Sequence, residues 1–360
     1  MTQKRKKMAF FTQNEAPFRM KYLDELAKYI DIDIFHIGEY ESELNQQYIS
    51  YHTKKAKTKD VHRSFFRRRI FDNRKFSVSK YNIVILDGYG FFAQQLLAFS
   101  LIIHKVNYIL SIDGGFIRKE SWFKYLFKKI ILTHAQNILS TGEATDKFAM
   151  YYGVRKDKIV RHIFSNVQES DVLIKPLNNY EKAELKNKLG LKNKFTLISV
   201  GKTPYIKGFD ILEKIGDIVS DFDYQILIVG TEGVHAPQNE KIVYIPFLNR
   251  EELNSYYKAA DIFILLTRHD VWGLVIGEAM SMGLPVVTTD MCLAGLEMVV
   301  SGQNGYIVKS EDVDTVITSI RKLYDSDLYS YGQKSIEIAK NILLRILQNL
   351  TVCFLIRLNK

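Results

Sequence analysis

Along the chain, short apolar runs alternate with longer segments whose apolar residues recur every three to four positions. Runs at 8–12, 32–37, 82–87, 107–112, 137–140 and 159–162 have the length and composition of buried strands. Between them, residues 18–29, 91–104, 121–131 and 143–152 carry the helical period. Such alternation predicts a parallel sheet with helices on both faces. A polar stretch over 165–194, containing Lys175-Pro176, then reads as a linker and a helix at 180–188. The alternation restarts with predicted strands at 195–200, 224–229, 241–245, 262–266 and 285–288, and helices at 209–219, 250–259 and 273–282. Two consecutive α/β sets of similar size predict two Rossmann-like domains with parallel sheets, residues 1–170 and 171–330, followed by a tail, 331–360. No repeat at a fixed period relates the halves. The end of the tail, from Leu350 to Ile356, is apolar without a clear amphipathic period.

One segment adds chemistry to this pattern. Ile262-Phe263-Ile264-Leu265-Leu266 reads as a buried parallel strand, and the helix from Gly273 to Met282 is stopped by Gly283 and Pro285. Asp270 therefore lies in the loop leaving a strand, and Gly273 opens a helix whose free N–H groups point back towards that loop. In open α/β sheets ligands bind at this edge, and a helix N-terminus favours anions. Glu278 follows Asp270 by eight positions, inside the helix.

Asp270-x7-Glu278, followed by Ala279-Met280 and Gly283-Leu284-Pro285-Val286-Val287, resembles the donor-binding pattern of the family 4 retaining glycosyltransferases. These are built on the GT-B architecture, in which two Rossmann-like domains face a cleft. Asp270 stands where Glu is the commoner first acid. The resemblance continues through 289–299 and 304–308 and covers about 195–323 well, the N-terminal half loosely. It implies that Glu278 accepts hydrogen bonds from the ribose hydroxyls of a nucleotide donor, a role suited to an ionised acceptor. Asp270 would contact the donor sugar. Read without the resemblance, Glu278 is a solvent-facing helix position and Asp270 a helix cap.

Gly201-Lys202-Thr203-Pro204-Tyr205-Ile206-Lys207-Gly208 is similar to the family's Gly-Arg-x4-Lys-Gly segment, with Lys202 in place of Arg. A leaving nucleoside diphosphate gains negative charge as the glycosidic bond breaks. Lys202 and Lys207 would stabilise that charge more in the transition state than in the ground state. The loops at Gly230-Thr231-Glu232-Gly233 and Phe247-Leu248-Asn249, with Gly273 and Leu274, would hold the nucleotide, although ordinary turns read the same way. In the first half, Asp113-Gly114-Gly115 follows a strand where many relatives place a His that contacts the donor sugar. The segment from Gln13 to Arg19 and Thr141-Gly142-Glu143 lie at the same predicted edge, on the acceptor side.

Charge is unevenly spread. Residues 1–170 hold 29 of the 50 basic and 17 of the 40 acidic side chains, a net +12 against −2 for the remainder. Between Lys54 and Phe76 lie ten basic residues, two acidic ones and four interleaved phenylalanines. Between Arg118 and Ile130, the residues Trp122, Phe123, Leu126, Phe127 and Ile130 fall at helical spacing with Lys124 and Lys128 beside them. A core-facing helix explains that stripe; an interfacial helix against an anionic membrane surface explains it as well. No run is long and apolar enough to span a bilayer, and the N-terminal apolar run is too short for a signal-peptide core. Two cysteines fit a reducing cytoplasm. No Cys or His spacing suits a metal site, so no metal is expected.

Taken with the resemblance, these features lead us to expect a cytoplasmic enzyme associated peripherally with the inner face of the cell membrane. It would move a sugar, with retention, from a nucleotide-diphosphate donor such as a UDP-sugar to a lipid-linked or growing glycan of a capsule, exopolysaccharide or lipopolysaccharide. No nucleic acid is expected as a partner. Two other classes stay open: a nucleotide-sugar epimerase or phosphorylase of the same architecture, and a basic protein that binds nucleic acid or membrane. Only the last explains residues 54–76 alone, and it leaves the Asp270/Glu278 context unexplained.

Overall fold

A computed structural model describes residues 5–13, 16–37, 56–61, 78–231 and 239–356. Most of the basic cluster from Lys54 to Phe76, together with Asn14, Glu15, Glu232 and Gly233, lies outside these residues. The chain forms two compact units, Met1–Phe164 with Ile346–Lys360, and Ser165–Arg345.

The first unit is a seven-stranded sheet in the order β3-β2-β1-β4-β5-β6-β7. Its strands are β1 (Lys7–Thr12), β2 (Asp31–Ile37), β3 (Lys57–Val61), β4 (Ile83–Asp87), β5 (Ile109–Ile112), β6 (Asn137–Ser140) and β7 (Ile159–Arg161). All neighbours pair in parallel. Alternate side chains of β1 show why its run is apolar throughout. Met8 and Phe10 pack with Met20, Leu23 and Leu26 of the helix Pro17–Leu26. Ala9 and Phe11 join Leu97, Ala98 and Leu101 of the helix Phe92–Ile103. A strand covered on both faces needs apolar residues at every position. β3 has the sequence KTKDV, which carries no apolar run, so pairing with β2 decides it and local pattern does not.

The second unit is a six-stranded sheet in the order β10-β9-β8-β11-β12-β13. It comprises β8 (Phe195–Val200), β9 (Tyr224–Val229), β10 (Ile242–Ile245), β11 (Ile262–Leu265), β12 (Val286–Thr289) and β13 (Gly305–Val308). Leu197, Ile226, Ile228 and Ile264 meet Phe209, Leu212 and Ile215 of the helix Phe209–Ile218 and Val316 and Ile320 of Val313–Tyr324 in one core. The turn of helix Pro204–Lys207, the helix Leu293–Met298 and β13 are elements that periodicity does not predict. The last helix, Leu328–Ile356, runs through the apolar tail; its first part belongs to the second unit and its end, from Ile346, to the first.

In each unit the chain winds outward from a central strand and then crosses to its other side. That reversal lies between β1 and β4 in the first sheet, and between β8 and β11 in the second. Crevices beyond the carboxyl ends of strands at such a switch point are where doubly wound sheets bind ligands.

Candidate active site

At the switch point of the second unit, the residues that follow β8 and β11 meet. Gly201 ends β8, and a Cβ there would lie 2.8 Å from Cγ of Lys207. Glycine at this position lets the Lys207 stem cross the backbone closely. Lys207, the last residue of the short helix, places Nζ 2.5 Å from Oδ2 of Asp270 in the loop after β11. Both side chains are largely buried, 20% and 12% exposed. Oδ1 of Asp270 accepts from the backbone N–H of Trp272 at 3.3 Å, and the Asp270 N–H donates to Met291 O at 2.9 Å. The acid is thus fixed from three directions.

Gly273 precedes the helix Leu274–Ser281 at φ +94°, and a Cβ would stand 2.6 Å from Sγ of buried Cys292 and 3.4 Å from Oδ2 of Asp270. No L side chain suits both that dihedral and that space. Gly230, at the end of β9, donates its N–H to Ile245 O. Lys202 is exposed, with Nζ 5.5 Å from the Phe247 ring centre. Leu248 and Leu274 are half-buried.

Glu278 does not join the Lys207–Asp270 pair among the described residues. It is half-buried in its helix, where Oε1 accepts from Nδ2 of Asn166 and Oε2 from the Tyr257 hydroxyl at 3.0 Å. Burial raises its carboxyl pKa, against the lowering effect of both donors. Burial, then the neighbouring Glu278 charge, holds the Tyr257 phenol well above its ordinary value.

Sequence reasoning named neither Asn166 nor Tyr257. Asn166 sits in a polar stretch without period, and Tyr257 reads as one more apolar face residue of the helix Arg250–Ala259. Arg268 was also missed. It makes two hydrogen bonds to Asp210 at 2.8 and 2.9 Å, pairs with Glu311, and lies 4.0 Å from the Tyr205 ring centre. With Thr267 Oγ1 donating to Ile206 O at 2.9 Å, it pins the turn that carries Lys207. Three buried polar atoms here have no hydrogen-bond partner: Asn166 Oδ1, Ser199 Oγ near the end of β8, and Thr231 Oγ1 just past β9. Orphaned buried acceptors and hydroxyls are uncommon in a finished interior and fit a site that a polar ligand completes.

The first unit has its own charged group. Arg19, in the helix after β1, places Nη1 2.9 Å from Asp87 Oδ2 at the end of β4. Its Nη2 lies 3.2 and 3.1 Å from the two oxygens of Asp113, just past β5. Thr12 Oγ1 also donates to Asp87, at 2.7 Å. Burial raises the Asp87 carboxyl to about 6, against the attraction of Arg19. His162, stacked edge-on to Tyr22, is lowered to about 4 by burial and then by Arg19. Asp113 was expected from sequence; Asp87, Thr12 and His162 were not.

With this geometry in place, comparison with known proteins adds the following. Residues 194–326 match the family model described as glycosyl transferases group 1. An uncharacterized 41.2 kDa protein in the cps region of Klebsiella pneumoniae is 27% identical over 243 residues, which cover 63% of this chain and 64% of that protein. The capsular polysaccharide biosynthesis glycosyltransferase CapM of Staphylococcus aureus is 25% identical over 216 residues, 56% of each chain. The matches thus span less than two thirds of either relative. HepE of Anabaena, solved in complex with UDP, superposes with a TM-score of 0.66 at 14% identity, covering 95% of this chain and 98% of that one. The protein has the GT-B fold, and the match to the model of glycosyl transferases group 1 lies within its second unit.

Proposed function

We propose that this protein is a retaining glycosyltransferase that takes its sugar from a nucleoside diphosphate donor, a UDP-sugar, and transfers it to a hydroxyl of a lipid-linked or growing surface glycan. The observation that carries this reading is the Lys207–Asp270 pair, placed at the switch point of the group 1 domain. A diphosphate arriving there competes with Asp270 for the Lys207 ammonium. As Lys207 turns its hydrogen bonds to the phosphate, Asp270 is freed to accept from hydroxyls of the sugar. The same exchange strengthens as the sugar–phosphate bond breaks, because the departing oxygen gains charge. Lys202, exposed beside Phe247, adds a second cation.

Glu278, oriented by Asn166 and Tyr257, accepts from the ribose hydroxyls in this reading. The unpartnered Ser199 and Thr231 hydroxyls are further contacts that a bound donor would satisfy. UDP in the HepE complex and the capsule role of CapM support the choice of nucleotide and pathway class. We assign the acceptor to the first unit, around Asp113.

Membrane contact belongs to the same proposal. No helix of the described residues is long and apolar enough to cross a membrane. In the first unit, however, Phe92 is 74% exposed, Trp122 66% and Phe123 76%. They sit on the helices Phe92–Ile103 and Trp122–His134, which touch through Phe99 and Phe127 with ring centres 5.0 Å apart. Aromatic side chains beside lysines suit a headgroup interface.

A thermal-shift screen with UDP, GDP and ADP tests the donor assignment, since a ligand that binds only the folded state raises its melting temperature. A rise with UDP that vanishes in Glu278→Ala and shrinks in Lys207→Ala is expected. Equal rises in the wild type and both variants would remove the assignment. Incubation with UDP-sugars and analysis of products then separates transfer from epimerisation.

A further inference from the structure

The end of the second sheet opposite Gly201 and Asp270 holds a second concentration of charge. There a cavity of 540 Å³ opens between the helix Asn179–Lys188, the start of β8 and the start of the helix Leu328–Ile356. Lys182, Lys186, Asn193, Lys194, Asp261 and Asp327 are among its lining residues. Its floor is an ion triad. Asp261, just before β11, receives Lys182 Nζ on Oδ1 at 3.0 Å and Lys186 Nζ on Oδ2 at 2.8 Å. The Thr196 N–H also donates to Oδ2, at 2.8 Å.

The triad is unbalanced. Its side chains are 11%, 6% and 9% exposed for Lys182, Lys186 and Asp261, so two buried ammoniums share one buried carboxylate. Lys186 has a second acceptor in Lys194 O at 2.7 Å, whereas among the described residues Lys182 has Asp261 alone. Three N–H bonds radiate from an ammonium, so Lys182 keeps donors for the cavity. The rim does not offset the excess. Asp327 is exposed and turned to Tyr329 N and Ser330 Oγ, and Lys194 is paired with Asp223 at 2.6 Å. A net positive charge held out of water is costly unless a counter-charge joins it. The volume admits far more than a halide.

We propose that this cavity binds a small polyanion, a phosphate- or carboxylate-bearing metabolite whose charged group sits on Lys182. The site is independent of the donor assignment, since it shares no residue with it. Lys182 and Lys186, four apart on one helix face, supply the charge, and the exposed Asn193 is among the lining residues.

Equilibrium dialysis of radiolabelled pyrophosphate at low salt tests this, using the full chain with Lys207→Ala to weaken the other anion-binding end, so that the Lys182 and Asn193 variants read out this cavity. Saturable binding is expected. Lys182→Met should weaken it by at least about tenfold, the loss of one charge-assisted hydrogen bond. Lys182→Arg should keep it within a few fold. Asn193→Asp, a change at an exposed position that leaves the triad intact, should also weaken it, by repulsion. Competition by inorganic phosphate or by citrate tells which of the two chemistries is preferred. No saturable binding in the Lys207→Ala chain, or binding that neither Lys182→Met nor Asn193→Asp alters, overturns the proposal.

Discussion

The two switch points of this molecule are built on one plan and differ in one respect. In each, a cation on the helix after the first central strand reaches a carboxylate at or past the end of the strand across the reversal: Arg19 to Asp87, and Lys207 to Asp270. Arg19 is held by two carboxylates, with Nη2 within 3.2 Å of both Asp113 oxygens, and Thr12 shares Asp87. Among the described residues, Lys207 has one carboxylate partner, Asp270, in a loop flanked by glycines. A planar guanidinium fixed by two acids forms a staple; an ammonium on a flexible stem can exchange one anion for another. The first pair is therefore held from several sides, whereas the second is held by one acid that an anion bound under the proposed function would displace.

The largest effect that could break this comparison concerns Glu278. Glu278→Ala should lower transfer by about a hundredfold or more, as an acceptor of two hydroxyl bonds is lost, and abolish the UDP-induced rise in melting temperature. Retained activity would detach the helix Leu274–Ser281 from donor binding. Next comes the contrast between the cations. Arg19→Met leaves Asp87 buried without its partner and should cost about 3–5 kcal/mol in denaturant unfolding. Lys207→Met leaves Asp270, less deeply buried than Asp87 and still holding the Trp272 N–H, without its cation, and should cost less, about 2 kcal/mol, yet weaken UDP at least about tenfold. A reversed order of the two stability losses would show that the pairs serve the opposite roles.

A pH series sharpens the same contrast. Asp87, raised to about 6, binds its proton more tightly when folded, so its contribution to stability falls as pH rises from about 4 to 6. His162, lowered to about 4, is protonated more readily when unfolded, so its contribution rises from about pH 4 to 6.5. The two slopes oppose each other. Relative to the wild type, Asp87→Asn should gain stability as pH rises through this window, and His162→Gln should lose it. Parallel curves for all three proteins would remove both groups from the balance. The smallest effect is expected at Thr231. Thr231→Val deletes an unpartnered buried hydroxyl and should change stability by no more than about 0.5 kcal/mol, while weakening UDP a few fold. A large stability loss would mean that the hydroxyl already has its partner in the free protein.

Strands whose residues are apolar at nearly every position were readable because two-faced burial leaves that mark on each one. β4, β9 and β11 are buried along their whole lengths. β3, with KTKDV, and the four-residue turn carrying Lys207 were not readable, since pairing and a proline-led start outweigh period there. At the candidate site, Asp270 and Gly273 stood out through their place between a strand and a helix, and Gly201, Lys207 and Glu278 through the resemblance to the glycosyltransferase pattern. Asn166 and Tyr257 did not, because a hydrogen bond to a residue 112 or 21 positions away leaves no local pattern. The apolar stripe from Trp122 to Ile130 had two readings. Exposure of Trp122 and Phe123, with burial reserved for Ile131 and Leu132, places its leading end in solvent.

By itself the sequence determined the strands buried on both faces, the longer amphipathic helices and the two α/β sets, because those follow from side-chain period and from residues adjacent in the chain. Tertiary structure alone decided that Lys207 meets Asp270 rather than open solvent, that Glu278 is oriented by two distant donors, and that two lysines share one aspartate at the far end of the sheet. Such pairings depend on which strands become neighbours, and a parallel sheet makes neighbours of segments that lie tens of residues apart.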